Sequence, residues 1–85
     1  MDGGVSAKAL GQAMRERRAS LGLTARELGA KVPVNRTYVE SIERGERNPS
    51  LKSLNRLAAA LDAPLSSLVI RAEEIGSESS AGDAR

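Results

Sequence analysis

Residues that start or stop helices recur at short intervals along this chain, and that punctuation limits it to a set of short helices. Gly22 is placed to end a first helix over about residues 6–21. Thr24-Ala25-Arg26-Glu27 has the form of a capping box, with Thr24 as N-cap and Glu27 as its reciprocal partner, and opens a second helix over 25–32. Val32-Pro33-Val34 breaks that helix, because proline cannot continue it and its ring pushes Val32 toward an extended conformation. Asn35 is a good N-cap for a third helix over 36–44, which Gly45 ends. Ser50 caps a fourth over 51–62, and Pro64 sits at the first turn of a fifth over 65–74, where its missing N–H costs little.

Each span carries apolar residues at helical spacing. Leu10, Met14 and Leu21 fall within about 40° of one another at 100° per residue. Leu28 and Val32 point inward from the second helix, and Leu51, Leu54, Ala58 and Leu61 from the fourth. Leu65, Leu68, Val69 and Ala72 line the fifth. The expected architecture is all-α, with five helices in a single domain over 6–75 behind a flexible N-terminus, 1–5. From Gly76 the composition is Gly, Ser, Ala and charge without apolar periodicity, so 76–85 is expected to be a disordered tail.

Composition removes whole classes of chemistry. With no Cys and no His, the chain has no disulfide, no Cys/His zinc site, no Cys nucleophile and no Ser-His-Asp triad. Only carboxylates and lysines remain as catalytic groups, and no Asp/Glu pair flanks a predictable pocket, so no enzyme, no metal and no cofactor are expected. The longest apolar runs, such as Leu57 to Leu61, fall far short of the about 20 residues that cross a membrane, and Met1 to Val5 has no apolar signal region. The lack of Cys fits a cytoplasmic protein. The net charge of +2 hides an asymmetry: twelve Lys/Arg against six Asp/Glu from Val5 to Ala72, then four acids and one Arg from Glu73 to Arg85. A basic body with an acidic tail suits an anionic partner.

Two short helices joined by a turn of three or four residues form a helix-turn-helix, whose second helix enters the major groove of DNA. On the third helix, Tyr38, Val39 and Ile42 group on one side, and Arg36, Thr37, Glu40, Ser41 and Arg44 on the other. The polar face has suitable chemistry: Arg36 for guanine O6 and N7, Thr37 for a thymine methyl or a phosphate, Glu40 for cytosine N4, and Ser41 as a short donor and acceptor. Glu43 lies beside Val39 near the apolar side, where a lone carboxylate would be costly. Pairing with an arginine of the first helix relieves that cost, and the wheel allows either Arg17 or Arg18.

These residues carry a resemblance. Leu23-Thr24-Ala25-Arg26-Glu27-Leu28, Val34-Asn35-Arg36-Thr37-Tyr38-Val39, Ile42-Glu43-Arg44-Gly45 and Asn48-Pro49-Ser50-Leu51 resemble the Cro and phage-repressor (Xre) family, as do Leu57-Ala58-Ala59-Ala60-Leu61 and Leu65-Ser66-Ser67-Leu68. The resemblance runs from about Leu10 to Leu68. The Arg-Thr-Tyr, Glu-Arg-Gly and Arg-Asn stretches further resemble the controller proteins of restriction-modification systems. The resemblance implies a five-helix, lambda-repressor-like DNA-binding domain, a homodimer and a two-fold symmetric operator on double-stranded DNA. It implies that Arg18 is the arginine paired with Glu43. It places base contacts on Asn35, Arg36, Thr37, Glu40 and Ser41, and backbone contacts on Arg44, Arg47, Asn48, Ser50 and Lys52. Two positions depart from the family pattern: Ala25 stands where a Gln usually touches the DNA backbone, and Pro33 where Gly or Asn usually takes a positive φ.

The fifth helix is the expected dimer interface, through Leu65, Val69 and Ile70, because Ile70 points about 100° away from Val69 and is not needed for the stripe that closes the core. The expected function is a sequence-specific DNA-binding transcriptional regulator without a small-molecule ligand. The rival is an antitoxin-like or coactivator-like protein-interaction module on the same fold, engaging its partner through the acidic stretch from Glu73 to Asp83.

Overall fold

The computed structural model describes residues 5–32 and 34–83, with side chains through Glu78. Five helices occur among the described residues: α1 (Ala7–Ser20), α2 (Ala25–Lys31), α3 (Arg36–Glu43), α4 (Leu51–Ala60) and α5 (Leu65–Asp83). The first four start on side-chain caps. Ser6, Thr24, Asn35 and Ser50 each accept from a backbone N–H three residues on, and Thr24 and Glu27 complete the reciprocal capping box. The Thr24 backbone and hydroxyl bonds hold the Glu27 carboxyl below the usual carboxylate range.

The main core joins Met14, Leu28, Val32, Val39, Ile42, Leu57, Ala58, Leu61 and Leu68, with Leu10, Tyr38 and Leu54 packed against it. A second cluster, Ala9, Ala13, Ala72 and Ile75, seats α5 on α1. The small side chains of Ala9 and Ala13 let the two helices approach closely.

Several expectations are corrected. Leu21 is 39% exposed and Leu51 66% exposed. Both sit at helix ends, Leu21 as the C-cap of α1 and Leu51 as the first residue of α4, and a wheel gives an angle but not a position along the axis. Leu57, absent from the expected stripe, is the buried leucine of α4. Val32 has φ −114° and ψ 28°, not an extended conformation. Its side chain is buried in the core, and the Val34 N–H closes onto the Gly29 carbonyl at 3.0 Å, so the chain leaves α2 through a tight C-cap rather than an extended step. The expectations for Pro33 and for residues 1–4 lie outside the described residues.

The tail expected to be disordered continues α5 as far as Asp83; residues 84–85 lie outside the described residues. Ile75 is buried against α1, one turn past the last residue of the expected stripe. The Arg71 guanidinium bonds Glu16 of α1 at 2.8 Å and reaches Glu74 and Glu78 along α5, both at 3.3 Å. Composition counts apolar residues and misses both this anchor and a single buried isoleucine. The Arg71 bond also lowers the Glu16 carboxyl from its usual range. Stability from a carboxyl lowered in the folded state is present above its unfolded pKa and lost as pH falls through the folded one. Acid titration by circular dichroism is therefore expected to show an earlier loss of helix in the parent protein than in a Glu16→Gln variant, once the two are normalised to their neutral-pH stability.

Candidate nucleic-acid interface

The position of α3 is fixed from behind by one buried ion pair. Arg18 Nε donates to Glu43 Oε2 at 2.7 Å and Nη2 to Oε1 at 2.9 Å, a two-pronged geometry, while Nη1 donates to the Leu23 carbonyl at 2.8 Å. The Glu43 side chain is only 6% exposed and that of Arg18 16%. The Glu43 carboxylate holds the Arg18 guanidinium above its ordinary pKa. Three groups therefore meet at one guanidinium: the end of α3, the body of α1, and the strap that enters α2. Arg17 turns the other way, its Nε donating to the Leu61 carbonyl and its Nη2 to that of Asp62, both at 2.9 Å, where it ties α1 to the end of α4. The two adjacent arginines thus hold opposite sides of the domain.

A second constraint has no charge. Gly11 of α1 lies directly against the end of α3: a Cβ built there would sit 2.2 Å from the Ile42 carbonyl oxygen and 2.8 Å from that of Glu43. Glycine is the residue that permits this backbone approach. Sequence reading passed over it, although an isolated glycine inside a helical pattern signals such a contact. Gly45, with φ 77°, ends α3, and its N–H bonds the Ile42 carbonyl while the Glu46 N–H bonds that of Ser41.

The outer face of α3 gathers most of the residues expected there. Asn35, Arg36 and Thr37 are exposed at the start of the helix and Glu40 is half-buried one turn on. The Asn35 Oδ1 caps the Tyr38 N–H at 2.8 Å, so only its amide nitrogen remains to donate outward. Arg36 lies 3.7 Å from Glu40 across one turn. Ser41 does not belong to this face: it is buried, its Oγ donating to the Tyr38 carbonyl at 2.8 Å. Its hydroxyl is thus satisfied within its own helix.

The expected backbone-contacting residues continue from α3 into the loop before α4. Arg44, Arg47, Asn48, Ser50 and Lys52 are all exposed. Arg44 bonds Glu46 at 3.0 Å, and this partner raises the Arg44 pKa while the Glu46 pKa falls. Arg47 lies over the Tyr38 ring, 5.2 Å from its centre, which orders a long side chain that would otherwise sweep freely. Ser50 spends its hydroxyl on capping α4. On α5, Ile70 is 54% exposed while Leu65 and Val69 are half-buried.

Comparison with known proteins matches the family described as Helix-turn-helix over residues 14–68. Among curated relatives, the transcriptional regulator ClgR of Mycobacterium tuberculosis is 38% identical over 65 residues, covering 76% of this chain and 58% of that protein, so the chain spans less than two thirds of that relative's length. The crystal structure of ClgR, the clp gene regulator of Corynebacterium glutamicum, superposes with a TM-score of 0.90 at 32% identity, over 92% of this chain and 83% of the other. The restriction-modification controller protein C.AhdI of Aeromonas hydrophila has a TM-score of 0.71 at 39% identity, over 73% of this chain and 94% of its own. SinR, the master regulator for biofilm formation, whose structure was solved in complex with DNA, has a TM-score of 0.66 at 35% identity, over 69% of this chain and 95% of its own. These relatives are named as regulators and not as enzymes. With the five-helix fold, the buried Arg18–Glu43 pair behind α3 and the matched span from Met14 to Leu68, the chain belongs to the Cro/phage-repressor (Xre) helix-turn-helix family of transcriptional regulators.

Proposed function

We propose that this chain regulates transcription in the cytoplasm by binding a palindromic operator as a homodimer, with α3 of each protomer in the major groove. The observation that carries the reading is the division of α3. Val39 and Ile42 are buried and Glu43 is clamped by Arg18, while Asn35, Arg36, Thr37 and Glu40 stay open on the opposite face. A helix so held presents base-reading side chains from a backbone that is already ordered before binding. Likeness to SinR, which was solved with DNA, points the same way. In this reading Arg36 reads a guanine, Thr37 and Glu40 neighbouring bases, and Arg44, Arg47, Asn48 and Lys52 the flanking phosphates.

Selection from random duplexes followed by sequencing tests it. The expected output is a palindrome whose half-sites lie about one helical turn apart. Retention of no duplex, with a protein partner copurifying in stoichiometric amount, would favour the interaction-module alternative instead. On the selected duplex, Arg36→Ala is expected to cost about 1–3 kcal/mol and to blur preference at one base pair. An unchanged sequence preference removes Arg36 from base reading.

The dimer is proposed to close through α5, with Ile70 at its centre and Leu65 and Val69 beside it. Ile70→Glu leaves the core untouched and is expected to shift sedimentation at micromolar concentration from dimer to monomer, weakening operator binding at the same time. A dimer that survives this change places the interface elsewhere.

A further inference from the structure

The outer side of α1 contains a feature that the proposed DNA contacts do not use. Lys8, Gln12 and Arg15 line one stripe of the helix, flanking the seam where Gly11 and Arg18 meet the end of α3. Beside this stripe runs a cleft of roughly 260 Å³ whose walls are Arg15, Arg18 and Ala25 on one side and Glu40, Glu43 and Arg44 on the other. A second cleft, of roughly 340 Å³, continues it past Lys8, Gln12 and Glu16, so Arg15 stands between the two. The wall that carries Glu40 and Glu43 belongs to α3 itself, the helix assigned to the major groove, and Arg44 caps its end.

Charge pairing within the cleft is unequal. Glu43 is taken by Arg18, Glu40 lies beside Arg36, and Glu16, at the far end, is taken by Arg71. Arg44 pairs with Glu46 outside the cleft. Arg15 is exposed and makes no ion pair or side-chain hydrogen bond among the described residues. Ala25 contributes only a methyl group, so nothing at the entry to α2 competes for a ligand by hydrogen bonding through its side chain. The result is a recess, opening next to α3, in which Glu43 and Glu16 are already paired and Arg15 is the guanidinium left uncommitted among the described residues.

We propose that this cleft is a phosphate subsite: Arg15 binds a backbone phosphodiester of the duplex read by α3, facing Arg44 across the recess. A guanidinium suits the task because its planar fork meets two phosphate oxygens at once. The footprint of each protomer then extends from the α3–α4 loop across to α1, on both sides of the recognition helix. Such a contact fixes the tilt of α3 in the groove and carries no base preference of its own. The assignment rests on the DNA-binding reading given above.

The test uses the full chain and the duplex recovered by selection, comparing parent, Arg15→Gln and Arg15→Lys across a salt series. Each phosphate contact contributes a slope of about −0.9 to log affinity against log salt concentration. Arg15→Gln is expected to bind more weakly at low salt, with a slope shallower by about 0.9 per protomer and an unchanged preferred sequence. Arg15→Lys is expected to restore most of the slope. Arg15 has no bonded partner among the described residues, so melting temperatures of the three proteins are expected to agree, and any difference is removed by comparing slopes rather than affinities. A slope for Arg15→Gln equal to that of the parent overturns the subsite while leaving the DNA-binding reading in place. A parent protein that retains no duplex overturns both.

Discussion

Replacing Arg18 with alanine is expected to remove about 3–5 kcal/mol of folding stability, the range for a buried ion pair that loses one partner. The Glu43 side chain, 6% exposed with Arg18 in place, would lose both of its charge-assisted bonds, and the Leu23 carbonyl would lose its donor as well. For a domain of this size such a loss lowers Tm by roughly 12–40 °C. The size of the effect reflects the abandoned charge rather than the net worth of the pair, because the pair itself had to be taken out of water. A double variant, Arg18→Met with Glu43→Leu, is therefore expected to regain most of the stability lost in the single variant. Thermal melting of the parent, the single and the double variant measures this directly. A loss below about 1 kcal/mol in Arg18→Ala would mean that Glu43 reaches water in solution. DNA affinity is expected to follow a different order: the double variant restores the fold but not the lateral restraint on α3, so its sequence preference should be broader than the parent's.

Gly11→Ala is expected to be strongly destabilising, and its sign is opposite to what helix propensity predicts. In an open helix position alanine is better than glycine by about 0.8–1.0 kcal/mol. At Gly11 the added methyl would stand 2.2 Å from the Ile42 carbonyl oxygen, with the Glu43 carbonyl oxygen at 2.8 Å. Neither is the far end of a flexible side chain, so the backbones of α1 and α3 must separate. Overpacking of this kind costs about 1–3 kcal/mol, and the rigid obstacle places Gly11→Ala at the upper end. Gly76→Ala is the internal comparison, because a methyl at Gly76 meets nothing within 4 Å and should stabilise α5 by up to about 1 kcal/mol. Urea unfolding of both variants gives the answer, and equal signs would mean that α1 and α3 do not meet as closely as described. Separating α1 from α3 would also pull Arg18 away from Glu43, so the two predictions probe one joint from its apolar and its ionic side.

Much of this was written locally. The caps at Thr24, Asn35 and Ser50 and the stop at Gly45 act within one turn of chain, so helix starts and ends could be read from residue type alone. The buried side of α3, Val39 and Ile42, followed from spacing. So did the unease of Glu43 beside them, although its partner did not: the wheel left Arg17 and Arg18 equal, and the resemblance to a family pointed to Arg18.

Other features depended on what lies across the fold. Ser41 fell on the polar side of the wheel, yet it is buried, with its hydroxyl turned back onto the Tyr38 carbonyl. Leu51 lay on the apolar stripe, yet it stands at the end of α4 and is exposed. The stretch from Gly76 lacks apolar periodicity, but one isoleucine just before it, seated on α1, and one arginine bonded to Glu16 carry α5 onward. By itself the sequence determined five helix starts, the apolar side of α3 and a chemistry without His or Cys, because caps and amphipathic spacing act over a few residues. Only the tertiary structure decided why position 11 is glycine and what carries α5 past Ala72, because each depends on a neighbour brought close by packing rather than by chain order.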